Sequence, residues 1–289
     1  MSNTVRRTER ERRTGDGATL WIRQWLPESG RKAAVVLVHG LGEHGGRYEQ
    51  LGAALAQAGY LVVACDLRGH GRSSGRRGDT RFQPALDDLH RLLIETESQQ
   101  PERPLFLYGH SLGALLVLTL LARRAGAGDG GAPAIAGAIV SAVPLRTPLR
   151  AQRGRVLLAL WLGRLLPGLR LATGLDPSAI SRDPAVVAAY RADPLVHDRG
   201  SLALAREALA AADALAGVDS LRVPLLLLHG TADRIALVEG SRELAARLAS
   251  AVACREYQGG YHEPHNDVDR QQVMGDVIDW LGARAAGRV

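Results

Sequence analysis

Apolar residues along the chain fall into short unbroken runs, separated by longer stretches in which they recur every three or four positions. Ala33–Val38, Tyr60–Cys65, Leu105–Tyr108, Ile135–Ser141 and Val223–Leu228 have the length and continuity of strands covered on both faces. Between and after them, residues 47–58, 82–98, 112–124, 238–250 and 266–284 carry a helical period, and a short strand is expected near Cys254–Tyr257. Ahead of the first run, the alternation Leu20 Trp21 Ile22 Arg23 Gln24 Trp25 and the turn Thr14–Gly17 predict an antiparallel hairpin from Thr8 to Trp25. Residues 1–7 read as a disordered lead, and Gly126–Gly131 as a flexible loop. Strand and helix in alternation imply an α/β fold, with a mostly parallel central sheet, helices on both faces, and ligands at the carboxyl ends of the strands.

The rhythm breaks after Ala142. Pro144, Pro148, Pro167, Pro177, Pro184 and Pro194 punctuate short Leu/Ala/Arg segments with no strand-like run among them. The expected organisation is therefore a core built from residues 1–144 and 221–289, with a helical cap inserted at 145–220. Within the cap, Leu158, Trp161, Leu162 and Leu165 share one helical face, while Arg153 and Arg164 share the opposite one. Such a face commonly packs on the domain beneath it or lines the pocket. Its alternative use is a transient contact with a membrane surface.

Gly109 His110 Ser111 Leu112 Gly113 stands where the apolar run 105–108 meets the helical stretch from 112. A serine hydroxyl needs a base to take its proton and a backbone that projects it. A sharp strand-to-helix turn does the projecting, and glycines flank it where a Cβ would collide. The amide of Leu112, at the head of the helix, then points at the place where an oxyanion forms.

Base and acid follow in the chain. His262 lies between the last strand and last helix, and Asp233 lies in the loop after the strand at 225–228. His265 has the same chemistry as His262, but the lead-in Gly259 Gly260 Tyr261 favours His262. His229 falls at a strand end, where packing is the expected use, and Asp267 is better placed to start the final helix. The glycine-rich loop His39–Gly46 supplies a second oxyanion donor at the amide of Leu41. His262 Glu263 Pro264 His265 is one residue short of the zinc-binding spacing and carries a proline, so no metal is expected. Gly69 His70 Gly71 lacks the third glycine and the lysine of nucleotide cradles, so no cofactor is expected either.

Composition narrows the field further. Lys32 is the only lysine, and it stands in no Walker, kinase or Schiff-base setting. The net charge of +6 comes from arginines scattered among 30 acidic residues, without basic blocks interleaved with aromatics, so nucleic acid is not an expected partner. Cys65 and Cys254 make neither a disulfide framework nor a zinc set. No apolar leader and no run of 18 apolar residues occurs, so the default expectation is a cytoplasmic protein.

Together, His39–His44 with Arg47 Tyr48, Asp66–Ser73, Gly109–Gly113, Asp193 Pro194 Leu195, Gly230–Asp233 and Tyr261 His262 resemble the monoacylglycerol lipase and lysophospholipase branch of the α/β-hydrolases. The resemblance spans nearly the whole chain. Ala114 departs from it, standing where the family commonly has a second glycine. It implies a Ser111, Asp233, His262 triad, oxyanion donors at Leu41 and Leu112, and a helical cap. The expected function is cleavage of a single-chain lipid ester through an acyl-enzyme, without cofactor, and peripheral membrane contact through the cap is open to it. The same triad also serves broad carboxylesterases, aminopeptidases and acyltransferases, and a non-catalytic binding protein is the reading from a different class.

Overall fold

The computed structural model describes residues 5–127, 133–152, 154, 161–248 and 252–286. In chain order the core elements are β1 (Arg6–Arg13), β2 (Thr19–Leu26), β3 (Ala33–Val38), α1 (Glu49–Gln57), β4 (Tyr60–Cys65), α2 (Phe82–Gln99), β5 (Leu105–His110), α3 (Leu112–Ala127) and β6 (Ile135–Ser141). The segment that follows holds β7 (Arg170–Ala172), α4 (Pro184–Ala192), β8 (Arg199–Ser201) and α5 (Leu202–Leu215). The chain then returns to the sheet through β9 (Leu225–Gly230), α6 (Val238–Leu248), β10 (Val252–Tyr257) and α7 (Arg270–Ala285).

Eight of these ten strands form one sheet in the order β1-β2-β4-β3-β5-β6-β9-β10. Within this sheet, among the described residues, only the β1–β2 and β2–β4 pairings are antiparallel. The hairpin at the antiparallel edge is as expected, except that β1 starts at Arg6 and so takes in part of the segment read as a disordered lead; residues 1–4 of that lead lie outside the described residues.

Continuous apolar strands dictate two cores, because alternate side chains point to opposite faces. From β3 and β5, Val36, Val38 and Leu107 pack with Leu89 and Leu93 of α2 and Leu115 of α3. Val35, Leu37, Phe106 and Tyr108 face the other way, onto Leu51 and Leu55 of α1 and Val273, Val277 and Leu281 of α7. Every residue of β3 is buried. The carboxyl ends of β3, β5, β9 and β10 open onto a common edge, where the loops 39–46, 111, 231–236 and 258–266 meet.

The segment between β6 and β9 differs from the all-helical expectation in two ways. Arg170–Ala172 and Arg199–Ser201 pair as a two-stranded antiparallel ribbon. Three residues per strand are too few for a period to register in sequence. Helix α5 does not lie on top of the sheet but joins the first core, burying Leu204, Ala212 and Leu215. Of the amphipathic face, Trp161 and Leu165 are solvent-exposed, at 59% and 62%. Leu158 and Arg153 fall outside the described residues, as does most of the loop expected at 126–131, since α3 itself continues to Ala127.

At the far end, the last helix begins at Arg270 rather than near Asn266, behind a 3-10 turn at Pro264–Asn266. Asp267 is not its cap. Its carboxylate accepts the amides of Tyr261 and Arg182, at 2.9 and 2.7 Å, and the Nε of Arg182, at 2.9 Å. The residue therefore ties the loop bearing His262 to the inserted segment.

Candidate active site

Ser111 occupies the junction between β5 and α3 with φ of 52°, the left-handed conformation that non-glycine residues rarely adopt. The turn is closed by the Ser111 amide, which donates to the Ser141 carbonyl at 2.9 Å, and by Leu115, whose amide donates to the Ser111 carbonyl at 3.2 Å. Glycine is required on both sides. A Cβ on Gly109 would lie 2.6 Å from the Gly113 carbonyl oxygen, and one on Gly113 would overlap the carbonyl of Val38. Ala114, the departure from the family pattern, is fully buried beside Gly109.

His262 Nε2 lies 3.1 Å from Ser111 Oγ, and its Nδ1 lies 2.8 Å from Asp233 Oδ2. A carboxylate only accepts, so Nδ1 carries the hydrogen and Nε2 is left to receive the serine proton. Burial alone would lower the His262 pKa, but the Asp233 charge and hydrogen bond outweigh it and hold the imidazole above its ordinary value. For Asp233, burial would raise the pKa, yet His262 and His229 hold the carboxyl below the usual range. The other oxygen of Asp233 accepts the amides of Ile235 and Ala236, at 2.8 and 3.0 Å, so the carboxylate is fixed from both sides.

His265 is not brought to the serine. It is fully buried, stacks on Tyr48 at 4.5 Å, and has no hydrogen-bond partner at either ring nitrogen. Burial pushes its pKa down to about 4. His110 is likewise buried and held well below its ordinary value, by burial first and by the neighbouring histidines next. Of these three clustered imidazoles, only His262 has a carboxylate partner.

The loop after β3 reaches the serine. A Cβ on Gly40 would lie 3.2 Å from the Ser111 Cβ, so this backbone and Ser111 share one wall. Leu41 follows directly, and Leu112 opens α3, whose first amides have no acceptor within the helix. The Gly40 amide donates to Glu43 Oε1 at 2.6 Å, and Gly42 takes φ of 78° with its carbonyl accepting the His197 amide at 2.9 Å.

A charge cluster behind this loop escaped the reading of individual residues. Arg47 donates to Glu43 Oε2 at 2.7 Å and, through both terminal nitrogens, to Glu263 at 2.5 and 2.7 Å. Glu43 also accepts from the Tyr48 hydroxyl at 2.7 Å, and Glu263 from Asn266 at 2.9 Å. His44 meets Asp193 of the inserted segment at 2.8 Å. The sequence signal was present, since Glu43, His44, Arg47, Tyr48 and Asp193 all belong to the stretches that carried the resemblance. Asp66 holds the same loop from below, accepting the Gly45 amide at 2.8 Å and the Arg72 amide at 2.9 Å. Its glycine-rich surroundings are thus a structural turn. Among the described residues, no group of three or more His, Cys, Asp or Glu is arranged to hold a metal ion.

The family model described as serine aminopeptidase, S33 (Hydrolase_4) matches residues 29–269. A Mycolicibacterium smegmatis protein named monoacylglycerol lipase is 38% identical over 262 residues, covering 89% of this chain and 90% of that one. Human monoglyceride lipase is 32% identical over 278 residues, covering 94% and 89%. Among solved structures, a monoacylglycerol lipase from Paleococcus ferrophilus superposes with a TM-score of 0.82 at 36% identity, over 92% of this chain and 99% of that one. A soluble variant of the Saccharomyces cerevisiae monoglyceride lipase, in complex with a substrate analog, shares the fold with a TM-score of 0.87 at 23% identity, over 98% and 97%. The chain belongs to the serine aminopeptidase S33 family of α/β-hydrolases, within its monoacylglycerol lipase branch.

Proposed function

We propose that this protein is a serine hydrolase that cleaves the ester of a monoacylglycerol or a similar single-chain lipid through an acyl-enzyme on Ser111. The observation that carries the reading is the unbroken line from Ser111 Oγ through His262 to Asp233, at 3.1 and 2.8 Å. Ser111 attacks the carbonyl carbon while His262 Nε2 takes its proton, and Asp233 holds the tautomer and stabilises the imidazolium. The amides of Leu41 and Leu112 receive the oxyanion. The imidazolium then protonates the leaving alcohol, and a water activated by the same His262 releases the fatty acid.

Ester rather than peptide cleavage is favoured by the acids around the site. An aminopeptidase needs free carboxylates to hold the substrate amine, but Glu43 and Glu263 are both engaged by Arg47. The names of the relatives point the same way. In this reading residues 145–220 act as a cap over a core of 1–144 and 221–289, and the cap decides the acyl chain and leaving group.

The cap also suits an enzyme of the cytoplasm that meets its substrate at a lipid surface. Trp161, Leu165, Leu166 and Leu169 are exposed, and an open groove of about 550 Å³ beside the last three is flanked by Arg76 and Arg170. No helix of the described residues is long and apolar enough to cross a membrane.

The test is turnover of a panel of glycerol esters, lysophospholipids and short p-nitrophenyl esters by the protein and its Ser111→Ala variant, with fluorophosphonate labelling alongside. The expected result is fastest turnover on monoacylglycerols, with both turnover and labelling abolished by the substitution. Turnover that survives Ser111→Ala would overturn the mechanism, and a preference for aminoacyl amides would overturn the substrate.

A further inference from the structure

The acid of the site has a second histidine behind it. His229, near the end of β9, is fully buried, and its Nε2 lies 3.2 Å from Asp233 Oδ2, the oxygen that His262 also uses. The same Nε2 is 2.8 Å from the Ala236 carbonyl oxygen, while Nδ1 is 2.7 Å from Oγ of the buried Ser241 on α6. Both neighbours of Nε2 are acceptors only, so Nε2 carries a hydrogen, which bonds to the Ala236 carbonyl while its positive end also stands 3.2 Å from Asp233 Oδ2. Five side chains thus run in line: Ser111, His262, Asp233, His229, Ser241.

We propose that His229, held by Ser241, is a positioning residue for the reaction: its Nε2–H, anchored on the Ala236 carbonyl, also faces Asp233 Oδ2, steadies the carboxylate, and tempers its pull on the His262 proton. The inference rests on the reading of Ser111, His262 and Asp233 as nucleophile, base and orienting acid. Sharing Oδ2 between two donors spreads its negative charge. Removing one donor leaves more charge facing His262, favours the imidazolium, and makes the base available only at higher pH. His229 therefore sets the lower edge of the working pH range without touching substrate.

Other charged or titratable groups lie near these rings. Glu256, on β10, is the register partner of His229, and His110 stands on β5. Glu43 and Glu263 act on His262 from the loops beside it. Of all these, only His229 and His262 lie within hydrogen-bond reach of Asp233 Oδ2.

The experiment compares kcat/KM against pH, on a soluble ester, for the parent protein, His229→Leu, His229→Gln and Ser241→Ala, with folding checked by circular dichroism. In His229→Leu the acid limb is expected to move to higher pH by on the order of half a unit. His229→Gln, whose amide restores a donor, should return it. Ser241→Ala, which loosens the ring without removing it, should move it the same way by less. A limb unmoved in His229→Leu, or in Ser241→Ala where the leucine variant does not fold, overturns the inference, as does an equal shift in His229→Gln. Hydrolysis that persists in Ser111→Ala removes the triad reading itself and this inference with it, so the two failures are distinguishable.

Discussion

Arg47 and Glu263 face each other through two parallel hydrogen bonds, 2.5 and 2.7 Å long, although 216 positions separate them in sequence. Glu263 is the residue after His262, and Arg47 also grips Glu43, which holds the Gly40 amide beside Ser111. One guanidinium thus joins the loop of His262 to the loop of Leu41, and it lies under the Tyr190 ring of the inserted segment at 4.6 Å.

Arg47→Met would leave two buried carboxylates without their counter-charge. The expected loss is about 3–5 kcal/mol of stability, the usual cost of removing one partner from a buried pair. Arg47→Lys keeps the charge but not the planar fork, and should fall between the two. Urea unfolding measures both, and a methionine variant as stable as the parent would sink this account of the cluster.

His262 is held above its ordinary histidine value, about 6.5, by the Asp233 carboxylate. In the role proposed for it, His262 works only when neutral, so kcat/KM should rise with pH through a value above 6.5 and level off beyond it. Asp233→Asn removes the charge that raises the imidazole. Its limb should move down in pH while kcat drops about 10⁴-fold, since the wrong tautomer is then favoured. Rate profiles on a soluble ester decide the matter, and a parent limb at or below 6.5 is the contrary outcome.

Gly113 and Gly126 lie on the same helix and should answer oppositely to alanine. At Gly113 a Cβ collides with the Val38 carbonyl and approaches the His39 carbonyl oxygen to 2.7 Å, whereas at Gly126 nothing lies within 4 Å. Gly113→Ala must push the end of β3, and with it the loop to Leu41, away from Ser111. A loss of about 1–3 kcal/mol is expected, with reduced kcat. Gly126→Ala should be neutral or stabilising by up to about 1 kcal/mol. Thermal unfolding of the two variants, read side by side, checks this.

The legibility of the sequence follows the range of the interactions. Val35 to Val38, buried on both faces, announce their strand locally, and Gly109 to Gly113 spell a turn whose constraints act within five residues. The chain order of Ser111, Asp233 and His262 supplied the rest of the candidate site. What local pattern could not supply is pairing across the chain. Glu43 and Arg47 entered only through the family resemblance and Glu263 only within a zinc spacing that failed, so their pairing went unread, and Asp267 read as a helix start because the five hydrogen bonds its carboxylate accepts come from both nearby and distant chain. His229 read as a packing residue because nothing in the spacing shows that its second nitrogen faces an acid. The ribbon of Arg170–Ala172 with Arg199–Ser201 is held by tertiary context, with His197 against Gly42 and Ser201 against Gly78.

The exposed apolar side chains of the inserted segment make the last prediction. Trp161, Leu165 and Leu166 stand 59%, 62% and 52% exposed within a few residues of one another, close to Arg164 and Arg170. Scattered exposed leucines need no explanation, but a local cluster with arginines at its rim suits an interface between water and anionic lipid. Trp161→Glu with Leu165→Glu places two charges on that surface and leaves the site at Ser111 untouched. Sedimentation with vesicles containing anionic phospholipid should show binding lost or reduced about tenfold or more, since each buried leucine-sized side chain contributes about 1.5–3 kcal/mol. Turnover of a soluble short-chain ester should stay within about twofold of the parent, because a factor of two is under 0.5 kcal/mol in the barrier. Undiminished vesicle binding would leave the patch as part of the inserted segment's own packing surface, and an equal fall in soluble-ester turnover would show that the substitutions act through the fold rather than the membrane.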